Sequence, residues 1–190
     1  EDFSNAMASC RGRRISETAD NLKKAVDACL QIEAINSALI PLLKNLQKRL
    51  LLFKNNFVAD GLQAARWCLE HNLIQQGYTI LEETIITWVA RELCLEYEKR
   101  ELREIISQAF TIYQKKLPEK DWKNPARENE EIVNRCLEFN KTKDSLADTF
   151  VQLSQCRNDL NHAGMVCHPL NYDSFRKKLD NFLQIIEKMI

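Results

Sequence analysis

Apolar residues return every three or four positions along nearly the whole chain, and nowhere is there a convincing run in which they return every two. A strand alternates sides residue by residue, whereas a helix brings one face round about every 3.6 residues, so the pattern restricts the chain to packed helices. It is strongest between Ile74 and Leu95, where Ile74, Tyr78, Leu81, Ile85 and Trp88 form one stripe and Ile86, Val89 and Leu93 a second. A helix apolar on two sides is covered on two sides, which places this segment at the centre of a bundle. Only four glycines and four prolines punctuate the 190 residues, too few for a fold of tight turns or for a Gly-rich phosphate loop.

The remaining helices are read around that centre. Ser16 is expected to cap a helix running to about Asn36 through Leu22, Val26 and Cys29, and Pro41 opens a second run through Leu46 and Leu50. Asp60 is expected to cap the next, with Leu62, Ala65 and Leu69 on its stripe, and a break near His71, Asn72 or Gly77 separates it from the central helix. Leu102 to Tyr113 forms another helix, ended before Pro118, and a shorter one covers Glu128 to Phe139. A longer helix begins near Asp144, with Leu146, Phe150, Leu153 and Leu160 as its buried line and Gly164 at the left-handed C-cap. The last carries Phe175, Leu179, Phe182, Ile186 and Met189.

Charge narrows the functional classes. Lys and Arg together equal Asp and Glu, so the chain as a whole exerts no pull on nucleic acid or membrane, and any such site is local. The segment from Lys99 to Arg127 is locally basic, and Arg11, Arg13 and Arg14 cluster near the start. Seven cysteines stand singly without a CxxC pair, which signals neither a disulfide framework nor a zinc knuckle and reads as cytoplasmic. No run is long and apolar enough for a membrane span. The chain opens at Glu1 without a methionine, which reads as a piece of something longer.

One segment has the residue types of a nuclease. Arg157-Asn158-Asp159-Leu160-Asn161-His162 occupies the last turn of the helix that begins near Asp144. Cutting RNA at its own 2′-hydroxyl needs a group that moves protons near neutral pH and a fixed cation for the charge that builds on the phosphoryl oxygens. Imidazole and guanidinium are the natural pair. Asn158 and Asn161 are candidates to orient the imidazole or the phosphate. Five positions apart, Arg157 and His162 are about 140° and 7.5 Å apart on an ideal helix, so they converge only if the helix ends there and releases His162, as Gly164 suggests. The same residues also have an ordinary reading, a histidine against a helix dipole and an arginine paired with a carboxylate.

The stretch Cys156 to Gly164 closely resembles the R-x(4)-H signature of HEPN ribonucleases, with Asn158 fitting its polar second position. Its Asn161-His162-Ala163-Gly164 ending looks like the effector domains of CRISPR-associated CARF–HEPN proteins of type III systems, and Ala65 to Glu83 is similar to the helix pair leading into the HEPN core. The resemblance implies an all-α, HEPN-type helical bundle with an N-terminal helical extension: residues 60–190 as the ribonuclease domain and residues 1–59 as a connector toward a CARF domain absent from this chain. It implies a homodimer in which Arg157 and His162 of both copies meet across a two-fold axis. Single-stranded RNA would be cut there without metal or cofactor, leaving a 2′,3′-cyclic phosphate and a 5′-hydroxyl. Cyclic oligoadenylate would act only through the absent sensor domain. Two other readings stay open: a HEPN toxin restrained by a nucleotidyltransferase partner, and a non-catalytic RNA-binding or dimerisation module.

Lesser candidates are His71 and His168, read as surface residues, and Trp122 and Tyr172, which have the chemistry to stack on bases. Tyr113 fits the core stripe of its helix. Glu82 and Glu83 are candidate partners for Arg157, but carboxylates on helices are usually solvated, and both are left outside the site.

Overall fold

The computed structural model describes residues 2–33, 35–165 and 168–190. In chain order the helices are α1 (Asp2–Ala8), α2 (Gly12–Leu30), α3 (Ile40–Leu50), α4 (Phe57–Glu70), α5 (Ile74–Glu92), α6 (Arg100–Lys115), α7 (Glu130–Lys141), α8 (Leu146–Asn161) and α9 (Tyr172–Glu187). Two short 3-10 turns lie between α6 and α7, and no strand occurs among the described residues. The chain is all-α.

The two-stripe helix sits where its sequence puts it. α5 packs against α4, α6, α8 and α9, and Tyr78, Leu81, Ile85 and Val89 are wholly buried. The Tyr78 hydroxyl donates to the carbonyl of Phe175 at 2.9 Å, which ties α5 to α9 and satisfies a polar group that burial would otherwise leave unpaired. Phe110 of α6 stacks on Phe150 of α8 with centroids 4.1 Å apart. Gly77 does not break the chain. It lies inside α5, where a Cβ would stand 2.7 Å from a terminal methyl of Leu179 on α9, which would have to shift to admit it. The break falls at Asn72, whose φ is 60°.

Two caps differ from expectation. α2 starts at Gly12 after Arg11, and Ser16 is buried inside it. Asn56, not Asp60, caps α4, accepting from Val58 N–H and Ala59 N–H. Asp60 is buried one turn in, where its carboxylate accepts from the N–H groups of Lys54 and Asn56. It therefore holds the incoming loop rather than the helix end. α1 was not expected from periodicity; its Phe3 packs edge-on against Phe53 and Trp67, which joins the N-terminal helices to α4. α3 buries only Leu50 and leaves Leu39 before it and Leu42 within it exposed.

Candidate active site

α8 ends at Asn161, and His162 is its C-cap. The turn beyond it has the double hydrogen bond of a Schellman motif: Gly164 N–H donates to Asp159 O at 3.2 Å and Ala163 N–H to Leu160 O at 3.3 Å. The left-handed position expected of Gly164 starts one residue earlier. Ala163 has φ 53° and Gly164 φ 72°, and an alanine held there costs about 1 kcal/mol. The loop returns against α8, where the buried Asp159 carboxylate accepts from Leu170 N–H at 3.0 Å. Asp159 thus holds both the turn that follows His162 and the segment that leads into α9, a role its sequence position did not announce. Cys167 lies outside the described residues.

The four candidate residues fall on two adjacent lines of this helix end. Arg157 faces α5, with Nε 3.3 Å from Oε2 of Glu82. The atoms are close enough for charge attraction, but the N–H is not aimed at the oxygen, and both atoms are buried without a hydrogen-bond partner. Ser154, three residues earlier, donates to Glu82 Oε1 at 3.3 Å, and Gln75 donates to Asn161 Oδ1 at 2.9 Å. Ser154, Arg157 and Asn161 are spaced i, i+3, i+7, so they form one polar line of α8 laid antiparallel on Gln75 and Glu82 of α5.

Asn158 and His162 form the second line, about 100° round the helix. Both are exposed, and Asn158 Oδ1 lies 3.4 Å from Nη2 of Arg157. The helix ends where expected and His162 leaves the helical region, with φ −91° and ψ 13°, while its N–H still donates to Asn158 O at 2.9 Å. Among the described residues Arg157 is joined to Glu82 and Asn158, and no hydrogen bond or ion pair joins it to the His162 ring. Asn161, expected to orient the imidazole or a phosphate, is engaged by Gln75.

Glu82 belongs to this site, although its place on a helix suggests a solvated carboxylate. Its side chain is 5% exposed, where a solvated carboxylate was expected. Burial pushes its carboxyl above the ordinary range; Arg157 opposes the rise, Glu83 adds to it and Ser154 opposes it. The signal was present, since Glu82 lies four residues after the apolar Tyr78 and four before the apolar Ile86.

The lesser candidates separate cleanly. His71 stacks on Trp67 at 4.6 Å and its Nδ1 lies 2.8 Å from that residue's carbonyl. His168 is exposed and lines a cavity of about 390 Å³ with Gln152, Gln155, Asn158 and Lys178, beside the motif. Trp122 is buried with its indole N–H on Leu117 O, so it is not a base-stacking surface; Tyr172 is exposed, its hydroxyl on Asn72. Tyr113 is partly buried against the core. In the basic segments Arg13 pairs with Glu98, Lys99 with Glu96 and Arg103 with Glu83. The six described cysteines are free thiols, and burial pushes Cys68 and Cys136 up to about 12, which keeps them protonated at neutral pH.

Among the described residues no group of three His, Cys, Asp or Glu side chains is placed to hold a metal ion, and no helix is long and apolar enough to cross a membrane. No protein-family model, no curated protein and no solved structure matches this chain.

Proposed function

We propose that the chain is an endoribonuclease that cuts single-stranded RNA without a metal, with Arg157 and His162 as its catalytic pair. One observation carries the reading: a single helix end holds a guanidinium anchored on its inner side and, five residues on, an exposed imidazole. The resemblance of Arg157 to His162 to the HEPN signature supports the same chemistry, and with it a homodimer serving as the effector half of a cyclic-oligoadenylate-activated CRISPR type III protein. A two-fold contact across this end of α8 brings two guanidiniums and two imidazoles to one cleft.

In that cleft one imidazole takes the proton of a ribose 2′-hydroxyl as O2′ bonds to phosphorus. The P–O5′ bond breaks, the departing O5′ receives a proton from the second imidazole, and the products are a 2′,3′-cyclic phosphate and a 5′-hydroxyl. The guanidiniums hold the charge that builds on the non-bridging oxygens. Neither Arg157 nor His162 is replaceable by the asparagines in these roles, because a carboxamide carries no charge and does not titrate.

The test is cleavage of unstructured RNA in EDTA, with product ends identified by their phosphate chemistry. Arg157→Ala and His162→Ala are each expected to lower the rate by about 100-fold or more while the helical fold persists. Cutting at the full rate by both variants overturns the assignment.

A second reading is favoured by one specific contact. Arg157 already has a carboxylate beside it, as an arginine with a purely structural task would. In that case the chain is a non-catalytic module that binds RNA without turnover, and its affinity falls as salt rises.

A further inference from the structure

The buried carboxylate of Glu82 stands where packing alone would place an apolar side chain. It lies between the apolar Tyr78 and Ile86 on α5, is 3% exposed, and leaves its Oε2 without a hydrogen bond. A leucine would fill such a position without desolvating a charge. What the carboxylate does have is a direction, since both of its neighbours, Ser154 and Arg157, belong to the polar line of α8.

The way it meets Arg157 matters. Contact is with Nε, the nitrogen nearest the backbone, which is buried. Nη2 reaches toward exposed Asn158, and about a quarter of the side chain remains in contact with solvent. A guanidinium attracted at its inner edge by a buried carboxylate keeps its outer amino groups as donors for an incoming anion. Ser154 holds the other carboxylate oxygen, which fixes the plane of that carboxylate.

We propose that Glu82, oriented by Ser154, is a positioning residue that holds Arg157 by Nε and presents its outer amino groups to the scissile phosphodiester. This rests on the ribonuclease reading for the identity of the anion, but the positioning itself does not. Preorganisation of this kind acts on the transition state, where the phosphoryl oxygens carry most charge, more than on substrate binding.

Two measurements separate the parts. The first is the Nε–H resonance of Arg157, assigned by comparison with Arg157→Lys. In the unmodified chain it is expected to be slowly exchanging, and in Glu82→Gln to exchange at least about tenfold faster, with Glu82→Asp between them. The second is steady-state RNA cleavage. Glu82→Gln is expected to lower kcat about 10- to 100-fold with KM within about threefold, Glu82→Asp to recover part of the loss, and Glu82→Gln to add less than about twofold in the Arg157→Lys background. Should Glu82→Gln fail to fold, Glu82→Asp and Ser154→Ala supply both readouts.

An Nε–H exchange rate unchanged in a folded Glu82 variant overturns the positioning role. Lost protection together with unaltered kcat shows Glu82 to be structural and overturns the proposal. Lost protection in a chain that never cuts RNA overturns the ribonuclease reading and leaves the grip on Arg157 standing.

Discussion

Glu82 and Glu83 are neighbours on α5, and each meets an arginine from another helix, yet the two pairs differ in kind. Arg103 of α6 has all five N–H donors engaged: Nε and Nη2 on the Glu83 carboxylate, Nη2 also on the Glu83 carbonyl, and Nη1 on Tyr97 O and Thr87 Oγ1. Arg157 has a misaligned approach to Glu82 and one long contact to Asn158. The saturated arginine is a cross-link that pins the start of α6 and the preceding loop onto α5. The unsaturated one has donors left over. Burial runs the other way from what a simple structural role would want, because Glu83 is 48% exposed in the well-bonded pair and Glu82 is 5% exposed in the poorly bonded one.

The largest consequence is for RNA cleavage. Arg157→Ala is expected to cost about 100-fold or more, whereas Arg103→Ala stays within about threefold of the unmodified rate and instead loses about 2 kcal/mol of stability with its hydrogen bonds. Initial rates in EDTA and urea melts on the same preparations check both. If Arg103→Ala remains folded and loses cleavage as fully as Arg157→Ala, the two arginines do not divide structure from chemistry.

Stability separates the carboxylates next. Glu82→Ala leaves a buried guanidinium nitrogen with no counter-charge and is expected to cost about 3 kcal/mol. Glu83→Ala removes a half-exposed partner while the Tyr97, Thr87 and main-chain bonds of Arg103 persist, and is expected to cost about 1 kcal/mol or less. Urea midpoints at constant slope measure the difference. Equal losses break the contrast between a buried and a surface pair.

A smaller effect tests the turn that carries His162. Ala163→Gly relieves a left-handed residue without altering the turn's hydrogen bonds, so it is expected to raise stability by about 0.5 kcal/mol and leave cleavage within about twofold. A loss of stability shows that the alanine methyl makes a packing contact worth more than the strain.

The helices were legible because burial imposes a period, and the central helix most of all, since Ile74 to Leu93 carries that period on two faces. Caps were less legible. Ser16 and Asp60 have the right chemistry for an N-cap, but Ser16 is covered inside α2 and Asp60 is recruited by backbone groups of the preceding chain. The helix end at His162 was readable from Gly164, though not the left-handed Ala163, since alanine gives no local sign of that conformation. The partners at the candidate site were the hardest part. Gln75 and Asn161 are 86 residues apart, and nothing in either neighbourhood says that they meet. Glu82 was within reach, because a carboxylate in register with Tyr78 and Ile86 has to be buried with something, and Arg157 is the cation the fold brings to it.

The smallest expected effect is the pH dependence contributed by Glu82. Its carboxyl is harder to ionise when folded, chiefly through burial, with Arg157 opposing and Glu83 adding to the rise. A group with a raised folded value binds more protons in the folded chain, so its contribution to stability is present below the ordinary value of 4.5 and is lost as pH rises through the folded value. The stability of the unmodified chain minus that of Glu82→Gln is therefore expected to decline as pH is raised from about 4.5 toward neutrality, other titrations cancelling in the difference. Urea unfolding of both chains across that range gives the slope. A difference that grows with pH means that attraction to Arg157 outweighs burial, and that the pair stabilises the fold as an ion pair.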